Sequence, residues 1–189
     1  MKKALLFLFD GYCEFEITPA ISMLRGTHEI TTFAMDKAPK LSEAGLLTLP
    51  SLTVSDIKIV DYEALIIPGG DLKPIAEAEE FFQLVEAFHM AGKVVSAICS
   101  GVFVLAKAGI LQDVPYTVTL AKYQREFLGV FPEEYFVYKP IVASGNILTA
   151  QGHAYVQFGI ELNKMLRTVN DETIDFYNGK RNVMMEGKS

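Results

Sequence analysis

Val94-Val95-Ser96-Ala97-Ile98-Cys99-Ser100-Gly101-Val102-Phe103-Val104-Leu105-Ala106-Lys107 is the stretch that decides the fold. Its first part, from Lys93 to Ile98, is short and mostly apolar and reads as a strand. Ser100 to Lys107 then reads as a helix that stops at Gly109. A strand passing through a tight turn directly into a helix is the repeating unit of a layered α/β fold. Immediately upstream, residues from about Pro74 to Met90 predict a helix ended by Gly92. Before it, Ala64-Leu65-Ile66-Ile67 is a second buried strand, closed by the turn Pro68-Gly69-Gly70.

The same alternation continues outward. Lys2 to Phe9 is a continuous apolar strand, followed by a turn at Asp10-Gly11. Phe15, Ile17, Ile21, Met23 and Leu24 have helical spacing, with Pro19 either opening that helix after a Thr18 cap or kinking it. His28 to Ala34 predicts another strand, and residues 40–54 an irregular hairpin or edge excursion punctuated by Gly45 and Pro50. Short strands are expected over Tyr116–Thr119, Phe136–Val142 and Ile147–Ala150. A last helix is expected over 154–167, burying Phe158, Ile160, Leu162, Met165 and Leu166. The sum is a three-layer α/β sandwich around a mostly parallel sheet. Residues 1–170 are expected to form a single domain, and 171–189 a polar extension that is partly disordered.

With 17 basic against 23 acidic residues the net charge is -6, which disfavours nonspecific attraction to nucleic acid or anionic membrane. No apolar run approaches the roughly 20 residues of a membrane span. The opening run is too short for a signal peptide, and two cysteines do not suggest a disulfide framework, so a cytoplasmic location is expected. Neither a dinucleotide loop nor a P-loop is present, and three scattered histidines suggest no metal cluster. No cofactor is expected.

Parallel sheets carry their sites at the carboxyl ends of the strands. Asp10–Glu16, Pro68–Asp71 and Cys99–Gly101 all fall at that edge. Cys99 occupies the turn between strand and helix, a strand–nucleophile-elbow–helix arrangement that pushes its side chain into the open. Ala97 and Gly101 are the small neighbours such a turn requires. The helix start is expected to favour the thiolate, and the Ser100 amide, with Gly70 as second donor, to face a developing oxyanion. A cysteine ending a core strand can also be merely a small apolar residue; the Pro68-Gly69-Gly70 turn and the acidic loop weigh against that.

Phe9-Asp10-Gly11 through Glu16, Ile67-Pro68-Gly69-Gly70, Ala97-Ile98-Cys99-Ser100-Gly101 and Gly145-Asn146-Ile147-Leu148-Thr149-Ala150 entering Gly152 follow in order over about residues 2–167. Together they resemble the signatures of the DJ-1/PfpI (ThiJ/PfpI) superfamily, related to class I glutamine amidotransferase domains. The resemblance implies a flavodoxin-like sandwich and a homodimer. It matches Cys99 to the family's reactive cysteine, Glu16 to its acidic partner and Gly70 to its oxyanion-hole glycine. A carboxyl beside a reactive sulfur should keep its proton and donate it to a thiolate or sulfinate. Glu14 is the rival carboxylate, but two positions away on a helix it faces elsewhere.

The chain departs from many relatives in having Ser100 directly after the cysteine and no histidine in Tyr116–Lys122. That weakens a Cys-His dyad, and with it peptidase or amidase chemistry. His28 and His89 are expected at the surface. His153 follows Gly152, near the pocket rim. Tyr12, Asp71, Gly101 and Tyr123 are candidate pocket residues, and Cys13 is either a buried thiol or a partner that resolves an oxidised Cys99. The leading expectation is an oxidative-stress-responsive cysteine protein whose partner is an oxidant or small molecule at Cys99. The alternatives are a cysteine-dependent hydrolase or glyoxalase-like enzyme on a small carbonyl, amide or ester, and a non-catalytic ligand-binding or regulatory module.

Overall fold

The structure is a computed structural model and describes residues 1–168 and 170–180. Its strands are β1 (Lys2–Phe7), β2 (His28–Ala34), β3 (Lys40–Leu41), β4 (Leu47–Thr48), β5 (Leu52–Thr53), β6 (Ala64–Ile67), β7 (Val94–Ile98), β8 (Ile141–Ser144) and β9 (Ile147–Ala150). Its α-helices are α1 (Thr18–Leu24), α2 (Glu79–Met90), α3 (Val102–Lys107), α4 (Lys122–Leu128), α5 (Tyr155–Met165) and α6 (Asp171–Tyr177). Seven strands form one sheet in the order β5-β2-β1-β6-β7-β9-β8, and β3 pairs with β4 separately. Only β8 runs antiparallel within the large sheet.

Burial explains the order. Every residue of β6 and β9 is buried, as are Ala4–Phe7 of β1 and Val95–Ile98 of β7, so these runs, polar only at Ser96 and Thr149, take the centre. The edge strand β8 has no buried residue. Helix α1 packs on α5 and α2 on α3, and β7 touches α2, α3 and α5. The Phe7 and Phe81 rings stack at 3.7 Å between centroids, tying β1 to α2.

Several expectations are corrected. Tyr116–Thr119 is not a strand but a single bridge, Tyr116 to Phe136, because the Thr117 amide donates to Thr149 Oγ1 instead of a neighbouring backbone. Phe136–Val142 contributes a strand only from Ile141, since Pro140 has no amide to donate. The helix expected from Pro74 starts at Glu79, after a 3-10 turn over Lys73–Ile75. Pro19 lies in the first turn of α1, and Ile17, not Thr18, is its cap. The last long helix also opens with a 3-10 turn, over Gly152–Ala154. In the extension, α6 is a helix whose cap Asn170 accepts from the Thr173 amide at 2.8 Å; residues 181–189 lie outside the described residues.

His28 is buried, not at the surface. Its Nδ1 lies 3.1 Å from Thr27 Oγ1 and its Nε2 3.6 Å from Glu63 Oε2, and burial holds its pKa below the usual range. His89 is half-buried at the end of α2.

Candidate functional site

Strand β7 delivers Cys99 to the carboxyl edge of the sheet, and a 3-10 turn over Cys99–Gly101 passes directly into α3. Cys99 has φ +58, the left-handed region that side chains rarely enter, so the turn holds it in a strained conformation. The turn also needs Gly101, where a Cβ would stand 2.1 Å from the Pro68 carbonyl oxygen. Cys99 is half-buried, and both cysteines are free thiols.

Glu16, on the 3-10 turn after β1, is 1% exposed, and its carboxyl lies beside the Cys99 sulfur, each group shifting the other's acidity. Its Oε2 accepts the Gly69 amide at 2.7 Å. Two glycines close the niche around the pair. A Cβ on Gly69 would stand 2.7 Å from both Glu16 Oε2 and Cys99 Cβ; one on Gly152 would stand 3.0 Å from Glu16 Oε1 and 3.1 Å from Cys99 Sγ. Glu14 turns away, toward Ser42 and Ala44 of the hairpin.

Burial raises the Glu16 carboxyl above the ordinary carboxylate range. The Cys99 thiol is pushed up to about 12, first by burial, then by the Glu16 charge and hydrogen bond, against the lowering pull of the Ser100 amide and the Thr119 hydroxyl. The helix start therefore does not by itself make a free thiolate, contrary to expectation. Two anions in one dry niche are too costly, so the pair retains a single proton between them over a wide pH range.

The oxyanion donors are arranged differently from the sequence reading. The Gly70 amide donates to Ser100 Oγ at 2.9 Å, and the same hydroxyl donates to the Gly70 carbonyl at 2.9 Å. Gly69, not Gly70, faces the reacting pair, and its amide is already bound to Glu16. Only the Ser100 amide is directed at the sulfur.

The other candidates separate. Tyr12 is buried, with its hydroxyl 2.8 Å from Thr48 Oγ1. Cys13 is buried and donates to Glu43 Oε2 at 2.6 Å; burial, and next that hydrogen bond, lift its pKa far above the usual thiol range. Asp71 is exposed and accepts the Lys73 amide. Tyr123 is 72% exposed on α4, and His153 is exposed on the turn after Gly152. Thr119 and Gln151 are the residues that sequence reasoning passed over. Thr119 lies in the Tyr116–Lys122 segment, and its hydroxyl is the signal that the sequence offers there. Among the described residues, no three His, Cys, Asp or Glu side chains converge as a metal site would need.

The DJ-1/PfpI family profile matches residues 2–165, covering all of these elements. The chain belongs to the DJ-1/PfpI family. The DJ-1 superfamily protein Atu0886 of Agrobacterium tumefaciens has the same fold, with a TM-score of 0.86 and 25% identity over 100% of both chains. The uncharacterized protein MJ0967 of Methanocaldococcus jannaschii is 34% identical over 63% of this chain and 59% of its own length. The isonitrile hydratase of Pseudomonas putida is 26% identical over 84% of this chain and 69% of its own. Within this DJ-1/PfpI fold no helix among the described residues is long and apolar enough to cross a membrane.

Proposed function

We propose that this DJ-1/PfpI protein is an oxidant-responsive cysteine protein, working in the reducing cytoplasm as a homodimer. The observation that carries the reading is the niche in which Gly69 and Gly152 hold the Cys99 sulfur against the buried Glu16 carboxyl, an arrangement in which the two groups would share one proton. Passing the proton from sulfur to carboxyl makes a thiolate without net loss of charge to solvent. That thiolate attacks one oxygen of hydrogen peroxide and the O–O bond breaks. The departing hydroxide takes the Glu16 proton and leaves as water, with a sulfenic acid on Cys99. A second peroxide inserts another oxygen, releases a second water and leaves the sulfinic acid.

In a Cys13→Ser background, Cys99 alkylation is expected to be nearly flat over about pH 6 to 9, because an internally shared proton does not titrate there, whereas a free thiol gains about tenfold per unit below ~8.5. Glu16→Gln should restore the steep rise and abolish the selective gain of two oxygens seen by intact mass after peroxide. A steep profile in the parent protein, with no selective oxygen gain, would sink the proposal.

A second reading is addition of a small electrophile's carbon to Cys99, followed by hydrolysis. The capped Gly70 amide favours substrates whose first adduct bears no oxyanion, and the likeness to an isonitrile hydratase points the same way. Product assays on small isonitriles, aldehydes, amides and esters test it; formamide release from an isonitrile, lost in Cys99→Ala, would make this the primary activity.

A further inference from the structure

The Thr119 hydroxyl stands between two acceptors and carries a single hydrogen. Its oxygen accepts the Gly152 amide at 2.8 Å, which holds it at the wall of the niche where a Gly152 Cβ would sit 3.1 Å from Cys99 Sγ. Its hydrogen goes to Gln151 Oε1 at 3.0 Å, while the hydroxyl stands near enough to the Cys99 sulfur to favour the charged form of the thiol. It cannot serve both at once. The Gln151 amide group is already committed, donating to Thr117 Oγ1 at 2.7 Å and to the Val118 carbonyl at 2.9 Å, so Gln151 cannot turn over to offer Thr119 a donor.

We propose that Thr119 is the switchable hydrogen-bond donor of the Cys99 site, standing in a segment that carries no histidine, with Gln151 as its competing acceptor. The inference rests on the shared-proton reading above. With Cys99 as thiol, the S–H proton goes to Glu16 and the Thr119 hydrogen to Gln151 Oε1. When the proton moves from sulfur to the carboxyl, the S–H bond breaks and a Glu16 O–H bond forms. The Thr119 O–H bond stays intact and only rotates, from Gln151 to the thiolate. The thiolate then has three donors: the Glu16 hydroxyl, the Ser100 amide and Thr119. Gln151 Oε1 is not left stranded, because Thr119 and Gln151 both border a cavity of about 510 Å³ from which water can reach the vacated acceptor.

The arrangement predicts opposite effects from the two ends of the contact. In the Cys13→Ser protein, Thr119→Val should slow Cys99 alkylation at pH 7 by roughly tenfold, the scale of a lost hydrogen bond to a charge. Thr119→Ser keeps the hydroxyl and should stay within about threefold of the parent, inside the spread expected when the same bond is retained. Gln151→Met removes the competing acceptor and should speed alkylation, because the Thr119 hydrogen is then free for the sulfur. Thermal melting shows that each variant is folded. If Thr119→Val alkylates as fast as the parent, or if the serine variant is as slow as the valine one, Thr119 is not the donor. A folded Gln151→Met protein that reacts no faster than the parent also overturns the switch. Failure of the shared-proton reading looks different: the parent's own pH profile would be steep, whatever the Thr119 variants do.

Discussion

A methyl group added at Gly152 would stand 3.0 Å from Glu16 Oε1 and 3.1 Å from Cys99 Sγ, closer than side-chain carbons normally approach such atoms. Gly152→Ala is therefore expected to cost ~1–3 kcal/mol as an overpacked site. It should also suppress Cys99 alkylation and peroxide uptake far more than it lowers thermal stability. Denaturant unfolding and intact mass on the same sample check both halves. A variant that reacts normally would show that the niche opens before the sulfur reacts. Cys99 and Glu16 were legible in the sequence because each belongs to a short motif with a fixed place after a strand. The work of Gly69 and Gly152 was not, since a glycine's importance lies in what approaches it, and that comes from distant segments. The motif marks Gly70 as second donor to an oxyanion; its amide binds Ser100 Oγ instead, a pairing across a sequence separation of 30 that no local pattern encodes.

At the scale of elements, the β3–β4 hairpin acts as a clamp on the loop that carries Glu16. The Gly11 amide donates to the Leu41 carbonyl at 2.8 Å and the Glu43 amide to the Tyr12 carbonyl at 2.8 Å. Tyr12 Oη meets Thr48 Oγ1, and the Cys13 thiol donates to Glu43 Oε2. Glu43→Ala removes the last of these ties and is expected to destabilise by about 1–2 kcal/mol, a buried donor being left without its partner. Because Glu43 also helps to hold the Cys13 thiol protonated, the same variant should make Cys13 easier to alkylate. Peptide mapping after brief alkylation distinguishes the two cysteines, and an unchanged Cys13 rate would mean that burial alone protects it. The hairpin was legible as an irregular excursion from Gly45 and Pro50. Its docking partner was not, because the contacts are single hydrogen bonds between segments some 30 residues apart.

For the whole molecule, two buried ionisable groups give stability opposite dependences on pH. Burial raises the folded Glu16 carboxyl above its ordinary value of 4.5, so the folded chain holds that proton more tightly than the unfolded chain. Its contribution is fully present below 4.5 and is lost as pH rises through the folded value. Burial lowers His28 below its ordinary 6.5, so the unfolded chain binds that proton more tightly. Its contribution is present above 6.5 and is lost as pH falls through the folded value. Glu16→Gln is expected to raise stability at pH 7 relative to pH 4, and His28→Gln to flatten the loss of stability on acidification below 6.5. Urea unfolding across this range measures both; parallel curves for parent and Glu16→Gln would mean that Glu16 ionises freely. Sedimentation at several concentrations tests the proposed homodimer.

The sequence by itself determined the layered α/β architecture and the position of Cys99. Continuous apolar runs such as Leu5–Phe9 and Ala64–Ile67 can be stable only where both faces are covered, and the glycine-marked turns between strand and helix are local in the chain. Only the tertiary structure decided which donors meet the sulfur, that His28 is buried, and that Tyr116–Thr119 runs beside the sheet without joining it. Those outcomes depend on where distant backbone amides and hydroxyls find partners. The Thr117 amide meets Thr149 Oγ1, the Gly152 amide meets Thr119 Oγ1, and the Gly69 amide meets Glu16. Each such pairing satisfies a polar group that packing has removed from water, and packing is set by the whole chain.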